Sequence, residues 1–398
     1  MMSQIRKVEP RGRPVWFRCE NHAVGVNVCR QYGYSRRSMA NDHPPNPKSS
    51  SDAPRVLLIR PSALGDVCRT VPALVTLRKA MPKAQIDWLV QSPFAPAIAS
   101  HPDLHQVVAF DRKRYSKLLL RPGQWSSFRG FLRQLREAHY DMVFDLQGLA
   151  RSGYFTWATR APIRVGFANA REGGHLGYTH RYHIDTNMHT VDRMLALLKA
   201  HDMPPSPQEP DRDMRLFTPT EDLKWADQYL NDIGIGNRPF ALLAPTAQWL
   251  CKCWPIQRFV ELAKRLEHEL NLRIIVMAAP HEQPIVQPLL DATNTQLPPT
   301  TIGKMMGLIQ RARIMICHDS GPLHMAVGLG TPTVSLFGPT NPALVGPYQQ
   351  DQWVVQPNDI TQQELAQSYR DRKNDQAIMA RITLEQVWDR VQMRMDQS

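Results

Sequence analysis

From Arg55 onward, short apolar runs alternate with longer stretches of helical spacing. RVLLIR (residues 55–60) lies between Pro54 and Pro61 and reads as a buried strand. PSALGD follows as a loop, and VCRTVPALVTLRKAM then sets Val67, Val71 and Leu74 on one helical face. Pro72 leaves two helix starts open: near Thr70 with the proline in the first turn, or at Asp66 with a bend. IDWLV (86–90), VVAFD (107–111) and DMVFDL (141–146) read as further strands, with an amphipathic stretch over 125–140. Five prolines crowd residues 203–222, the best domain boundary. Beyond it the pattern restarts: FALLAP (240–245), a helix over 256–270, RIIVMAAP (273–280), a helix from about Glu282, RIMICHDSG (313–321) and TPTVSLFG (331–338). Alternating strands and helices predict parallel α/β sheets, here two domains with a cleft between them. The boundaries read as 55–215 and 216–372, with a closing helix in 373–398.

Residues 1–54 break this texture. They show no sustained period and hold nine basic against four acidic residues, out of a net charge of +12 for the chain. They read as a basic, proline-rich, disordered extension: a solvated tail, translated from a start upstream of Met39, or an arm for nucleic acid or anionic membrane. The body stays basic without it, which favours an anionic partner. With 42% hydrophobic and 21% charged residues, the chain can bury real cores, and global disorder is excluded. No apolar stretch approaches the roughly 18–20 residues of a membrane span. Arginines and Lys7 interrupt the first residues, so no secretory signal is legible, and six cysteines in 398 residues make no disulfide scaffold. A reduced, cytoplasmic protein is the expectation.

Open parallel sheets bind ligands outside the carboxyl ends of their strands, and three loops there carry candidate chemistry. In PSALGDV, Gly65 lets backbone approach a ligand, and Asp66 is either a carboxylate for chemistry or a helix cap. In HDSGPLHMAVGLGTP, Asp319 or Ser320 can cap a helix that Pro322 opens and Gly330 closes. Its free N–H groups make an anion site, and His324 lies near the same mouth. In APTAQWLCKCWPIQRF, Lys252 can neutralise phosphate if it faces that mouth, and is otherwise a solvated lysine. The chain has neither G-x-G-x-x-G after a strand nor G-x-x-x-x-G-K-[ST], so dinucleotide and P-loop readings lose their fingerprint. No G-x-S-x-G elbow is present, and Cys251 and Cys253 lack the further ligands of a zinc site.

Taken in order, these blocks resemble the ADP-heptose:lipopolysaccharide heptosyltransferases, glycosyltransferase family 9. RVLLIRPSALGDVCRTVPALVTLR, DLQGLARSG, the REGG and YTHRYHI stretch followed by HTVDRMLALL, KCWPIQRFVELAKRL, APHE and the segment from TTIGKMMGLIQ to FGPTNP carry the likeness. The resemblance implies a GT-B architecture, two facing Rossmann-like domains with the acceptor on the first and the nucleotide-sugar on the second. It implies inverting transfer of heptose from ADP-heptose to the lipopolysaccharide inner core, without metal or other cofactor. By position, Asp66 falls on the general base, and Lys252 on the lysine at the donor phosphates. Glu282 falls on an acid at the ribose, and Asp319, Ser320, Gly321 and His324 on the diphosphate loop. Thr300 lies near the adenine pocket. Ala247 and Gln248 replace hydroxyl side chains found in some members, and the cysteines flanking Lys252 are unusual.

The residue types suit this chemistry. A carboxylate can take the acceptor hydroxyl's proton, an effect of about 10²–10⁴-fold. Lys252 and a helix N-terminus can meet the charge growing on departing ADP. The implied acceptor is a lipid-anchored anionic oligosaccharide at the inner face of the cytoplasmic membrane. Arg151, Arg171 and Arg181 are candidates for its acidic groups, each otherwise a surface arginine. Two other readings remain: a relative moving another sugar onto another cell-surface glycan, and a non-catalytic protein of this fold. No nucleic-acid-binding module is visible.

Overall fold

The computed structural model describes residues 53–115, 123, 125–202, 211–299, 301–366 and 374–397. Residues 1–52 of the expected extension, 203–210 of the proline-rich boundary, and Thr300 lie outside this set. The first half builds a six-stranded parallel sheet from β1 (Arg55–Ile59), β2 (Gln85–Gln91), β3 (Gln106–Phe110), β4 (Met142–Asp145), β5 (Ile163–Phe167) and β6 (His180–Tyr182). Its order is β3-β2-β1-β4-β5-β6. The second half builds a five-stranded parallel sheet from β7 (Phe240–Ala244), β8 (Arg273–Val276), β9 (Ile314–His318), β10 (Thr333–Leu336) and β11 (Val354–Val355). Its order is β11-β10-β9-β7-β8. Helices cover both faces, which is why β7, β9 and β10 are buried at every position and read as unbroken apolar runs.

Strand order reverses once in each sheet: between β1 and β4 in the first, and between β7 and β9 in the second. At such a point the connections leave toward opposite faces and open a crevice beyond the strand ends. The expected loops 61–66, 245–253 and 319–321 all emerge at these two points.

Of the two candidate helix starts after β1, the one near Thr70 is realised, and no bent helix begins at Asp66. A short helix, Leu64–Cys68, occupies part of the expected loop, and a second, Val71–Ala80, begins with Thr70 as N-cap and Pro72 in its first turn. Proline costs nothing there, because those N–H groups have no partner within the helix. The closing helix, Leu384–Asp396, starts with a capping box between Thr383 and Gln386. It packs Val387, Trp388 and Val391 into the second sheet's core.

One apolar cluster runs through both halves, from Leu58 and Leu74 to Met315 and Met325. Two contacts set their approach: helix Ile302–Arg311 against turn Ser92–Ala97, and helix Leu64–Cys68 against helix Gly321–Leu329. The second depends on two missing side chains. A Cβ on Gly65 would lie 2.6 Å from His324 Cδ2, and one on Gly321 would lie 2.8 Å from Leu64 Cδ2.

Candidate functional site

At the first switch point, Asp66 sits in the first turn of helix Leu64–Cys68. Its Oδ2 accepts the Ala63 N–H at 3.2 Å, so Asp66 braces the helix from its third position, while the N-cap is Ala63 and not Asp66. Its Oδ1 meets Arg69 Nη2 at 2.6 Å and Arg60 Nη2 at 3.1 Å. Arg60, at the end of β1, is itself anchored by donating to the Leu146 carbonyl beyond β4. Burial alone would raise the Asp66 carboxyl, but the two guanidiniums and the Ala63 N–H outweigh it and hold the group well below the usual carboxylate range. Asp66 is therefore ionised throughout the physiological range, with a quarter of its side chain exposed.

That exposed portion lines a cavity of about 390 Å³, walled by Arg60, the Leu146–Leu149 loop, Asn169, Arg171, Thr190 and Arg193 among others. The loop is shaped by Asp145, whose Oδ1 accepts the Gln147 and Gly148 N–H groups at 2.8 and 3.1 Å. Its Oδ2 accepts the Tyr178 hydroxyl at 2.7 Å. Burial and the charges of Arg60 and Arg171 lower Arg193 from its ordinary value, as expected for crowded cations short of negative partners. Arg193 Nε and Asn169 Oδ1 are buried without a hydrogen-bond partner. An anionic, hydroxyl-bearing ligand would satisfy all of these groups.

At the second switch point, Lys252 Nζ lies 2.5 Å from Asp319 Oδ2, linking the loops after β7 and β9. Both side chains are nearly buried, at 12% and 10% exposure. A carboxylate cannot itself take a phosphate oxygen, so the geometry makes Asp319 the group that fixes the ammonium. Ser320 is the N-cap of helix Gly321–Leu329, and its Oγ is buried without a partner. His324, one turn into that helix, is buried and held well below its ordinary value by desolvation, with Arg69 adding to the effect. It is neutral, and the charges of Arg69, Asp66, His189 and Lys252 all act on it. The contact of helix Leu64–Cys68 with helix Gly321–Leu329 brings the Asp66 cluster to the helix that follows Asp319.

Glu282 stands apart from these groups. Its Oε2 accepts the Ala279 N–H at 2.7 Å and the Thr246 hydroxyl at 3.0 Å, bracing the loops after β8 and β7 against each other. Cys251 and Cys253 are buried and are not joined in a disulfide. Burial pushes the Cys253 thiol up to about 11, so neither thiolate chemistry nor metal binding is favoured there. Among the described residues, no group of three or more His, Cys, Asp or Glu side chains is arranged to hold a metal ion.

Of the three arginines singled out in the sequence, only Arg171 lines the cavity. Arg151 is exposed on helix Ala150–Ala158, and Arg181 is exposed on edge strand β6. Sequence reasoning missed Arg60, Arg69 and Arg193. Arg69 carried a usable signal, since it follows Asp66 by three residues and so shares its helical face. Arg60 and Arg193 had none, because their meeting depends on strand order and on how helix Thr190–Ala200 packs.

A second set of bonds joins the halves beside the site. Arg69 Nη1 donates to the Val345 carbonyl at 2.6 Å, the Thr190 hydroxyl to Leu344 at 3.0 Å and the Tyr348 hydroxyl to Asp192 at 2.6 Å. Arg69 therefore grips Asp66 with one nitrogen and the second half with the other.

The model of glycosyltransferase family 9 (heptosyltransferase) matches residues 128–375. Lipopolysaccharide heptosyltransferase 1 of Pseudomonas aeruginosa is 32% identical over 307 residues, covering 75% of this chain and 82% of its own. The Escherichia coli K12 protein of the same name is 26% identical over 306 residues, covering 75% and 92%. Among solved structures, a family 9 glycosyl transferase from Veillonella parvula superposes with a TM-score of 0.74 at 22% identity, over 88% of this chain and 99% of its own. The E. coli heptosyltransferase WaaC with ADP superposes with a TM-score of 0.69 at 24% identity, over 85% and 99%. The two structural likenesses fix the fold as GT-B. With its sequence blocks, its matched span and its relatives in agreement, the chain belongs to glycosyltransferase family 9, the heptosyltransferases.

Proposed function

We propose that this protein transfers heptose from ADP-heptose to the inner core of lipopolysaccharide, by inversion and without a metal ion. The observation that carries the reading is the packing of the Asp66 helix, Leu64–Cys68, against helix Gly321–Leu329, whose mouth holds the Lys252–Asp319 pair. An inverting displacement needs a base on one face of the anomeric carbon and a charge acceptor on the other.

In this reading the acceptor sugar enters the cavity beside Asp66, its acidic groups on Arg171 and Arg193. The arginine clamp makes Asp66 a weak base toward water. It becomes effective only as the attacking hydroxyl loses electron density and turns acidic in the transition state, which protects the donor from hydrolysis. Lys252, the backbone N–H groups of Gly321 and Leu323, and the Ser320 hydroxyl receive the diphosphate. These fixed donors supply the charge stabilisation that a divalent cation gives in other transferases, and this supports metal independence. Glu282, which braces the loop after β8 against that after β7, is the acid assigned to the ribose hydroxyls.

Nucleotide release by the purified chain, offered ADP-heptose, UDP-sugars and GDP-sugars with a lipid A–core acceptor in EDTA, tests the proposal. ADP release that requires both ADP-heptose and acceptor, and survives EDTA, is expected. Turnover with another sugar nucleotide would move the protein to a different donor, and loss of activity in EDTA would remove metal independence.

A further inference from the structure

Helix Ala150–Ala158 is buried on every side but one, and with the Arg160 that follows it, the open stripe reads Arg151, Tyr154, Trp157, Arg160. Trp157 is 53% exposed and Tyr154 42%, among the most exposed aromatic side chains of the described residues. Their rings stack at 5.8 Å, and Tyr154 stacks on Phe128 at 6.5 Å. Phe128 belongs to helix Trp125–Glu137, which adds the exposed Trp125 and Arg129. Two large rings left half in water side by side make an apolar patch that is unfavourable without cover, and such a patch marks a partner.

We propose that this stripe docks the protein on an anionic lipid bilayer. Three observations select that occupant. Aromatic rings with polar edges settle at the headgroup level of a bilayer, and arginines flanking them snorkel to the phosphates. The stripe's own charges, Arg151 and Arg160, are both positive, and Arg112 acts on Arg151 with Glu172 the one acid that opposes it there, a net positive charge that complements anionic headgroups. A second copy of the chain is disfavoured, because a twofold contact through the stripe would set Arg151 and Arg160 against themselves. Placement agrees with use. The helix's N-cap, Leu149, lines the cavity that holds Asp66, and Trp157 lies about 12 Å further along at 1.5 Å per residue. The stripe therefore lies on the helix that leads away from the cavity in which a lipid-anchored sugar would be seated. That purpose rests on the proposed acceptor, but the surface does not.

Sedimentation of the full chain with vesicles, without donor or acceptor, tests the surface separately from the chemistry. The wild type should bind vesicles containing one quarter phosphatidylglycerol, lose that binding as salt rises, and ignore pure phosphatidylcholine. Tyr154→Ala with Trp157→Ala, and Arg160→Glu independently, should each weaken binding about tenfold at unchanged melting temperature. Turnover on a delipidated acceptor should be unchanged in both variants. Wild-type protein that ignores anionic vesicles overturns the proposal. So does binding that both variants retain, which would assign it to another surface such as residues 1–54. A dimer in solution that Trp157→Ala dissociates would overturn it in favour of self-association.

Discussion

At the switch point of the first sheet, one carboxylate meets two guanidiniums; at that of the second, one ammonium meets one carboxylate. The two halves share an architecture, so the difference is chemical. The first is left with surplus positive charge in a walled cavity, and it can satisfy that surplus only with an anionic ligand. The second is balanced among its side chains, and its appetite for anions comes from backbone N–H groups at a helix mouth. Side-chain charge thus sets one site and backbone geometry the other. A cleft built this way holds two anionic substrates without merging their sites.

The sharpest way to break the contrast is Asp66→Asn, which keeps the shape and removes the charge. Turnover should fall about 10²–10⁴-fold while donor affinity by calorimetry stays level; an equal loss of donor affinity would place Asp66 in the donor site. Lys252→Ala should cost about 10²–10³-fold in kcat and leave Asp319 buried without a cation, weakening both the fold and donor binding. Adding Asp319→Asn should restore part of both, because the stranded charge is gone. A strictly additive double-mutant cycle would show that the pair does not act as a unit. Arg193→Ala should raise the acceptor KM about tenfold, the value of a lost charge-assisted hydrogen bond, with kcat and donor affinity near wild type.

The subtlest test uses acid. Because the folded Asp66 carboxyl is held below its unfolded value, its ionisation stabilises the fold above about pH 4, and that contribution is lost as pH falls through the folded value. Wild-type turnover should therefore show no acid limb from Asp66 above about pH 4. Arg69→Gln removes one of the cations that oppose burial, so an acid limb should move upward in the kcat profile. An unmoved limb would mean that Arg60 alone sets the carboxylate.

Much of the fold was legible before any coordinates. The helix expected over 256–270 is Ile256–Leu270, and the strands expected at 86–90 and 107–111 are β2 and β3 with ends shifted by a residue. These segments carry strong periodicity or unbroken apolar runs, which local sequence encodes directly. β5, β6 and β11 were not foreseen; Arg164, Gly166, His180 and Arg181 interrupt the apolar pattern of the first two, and the last has two residues. Of the site, the loops were readable because strand ends and helix mouths are local features. Arg60 at Asp66, and Arg193 in the cavity, were not, since both meet it only through the β1–β4 reversal and the packing of helix Thr190–Ala200.

Arg69 has a thermodynamic consequence. Its two nitrogens join the Asp66 carboxylate to the Val345 carbonyl of the other half, so the orientation of the base and the docking of the halves share one side chain. Whatever steadies either event steadies the other by the same free energy. Under the proposed function, a donor that draws the second half inward would also sharpen the acceptor site, and an acceptor seated against Asp66 would tighten the grip on the donor in equal measure. Neither substrate would need to touch the other for the cleft to count them together.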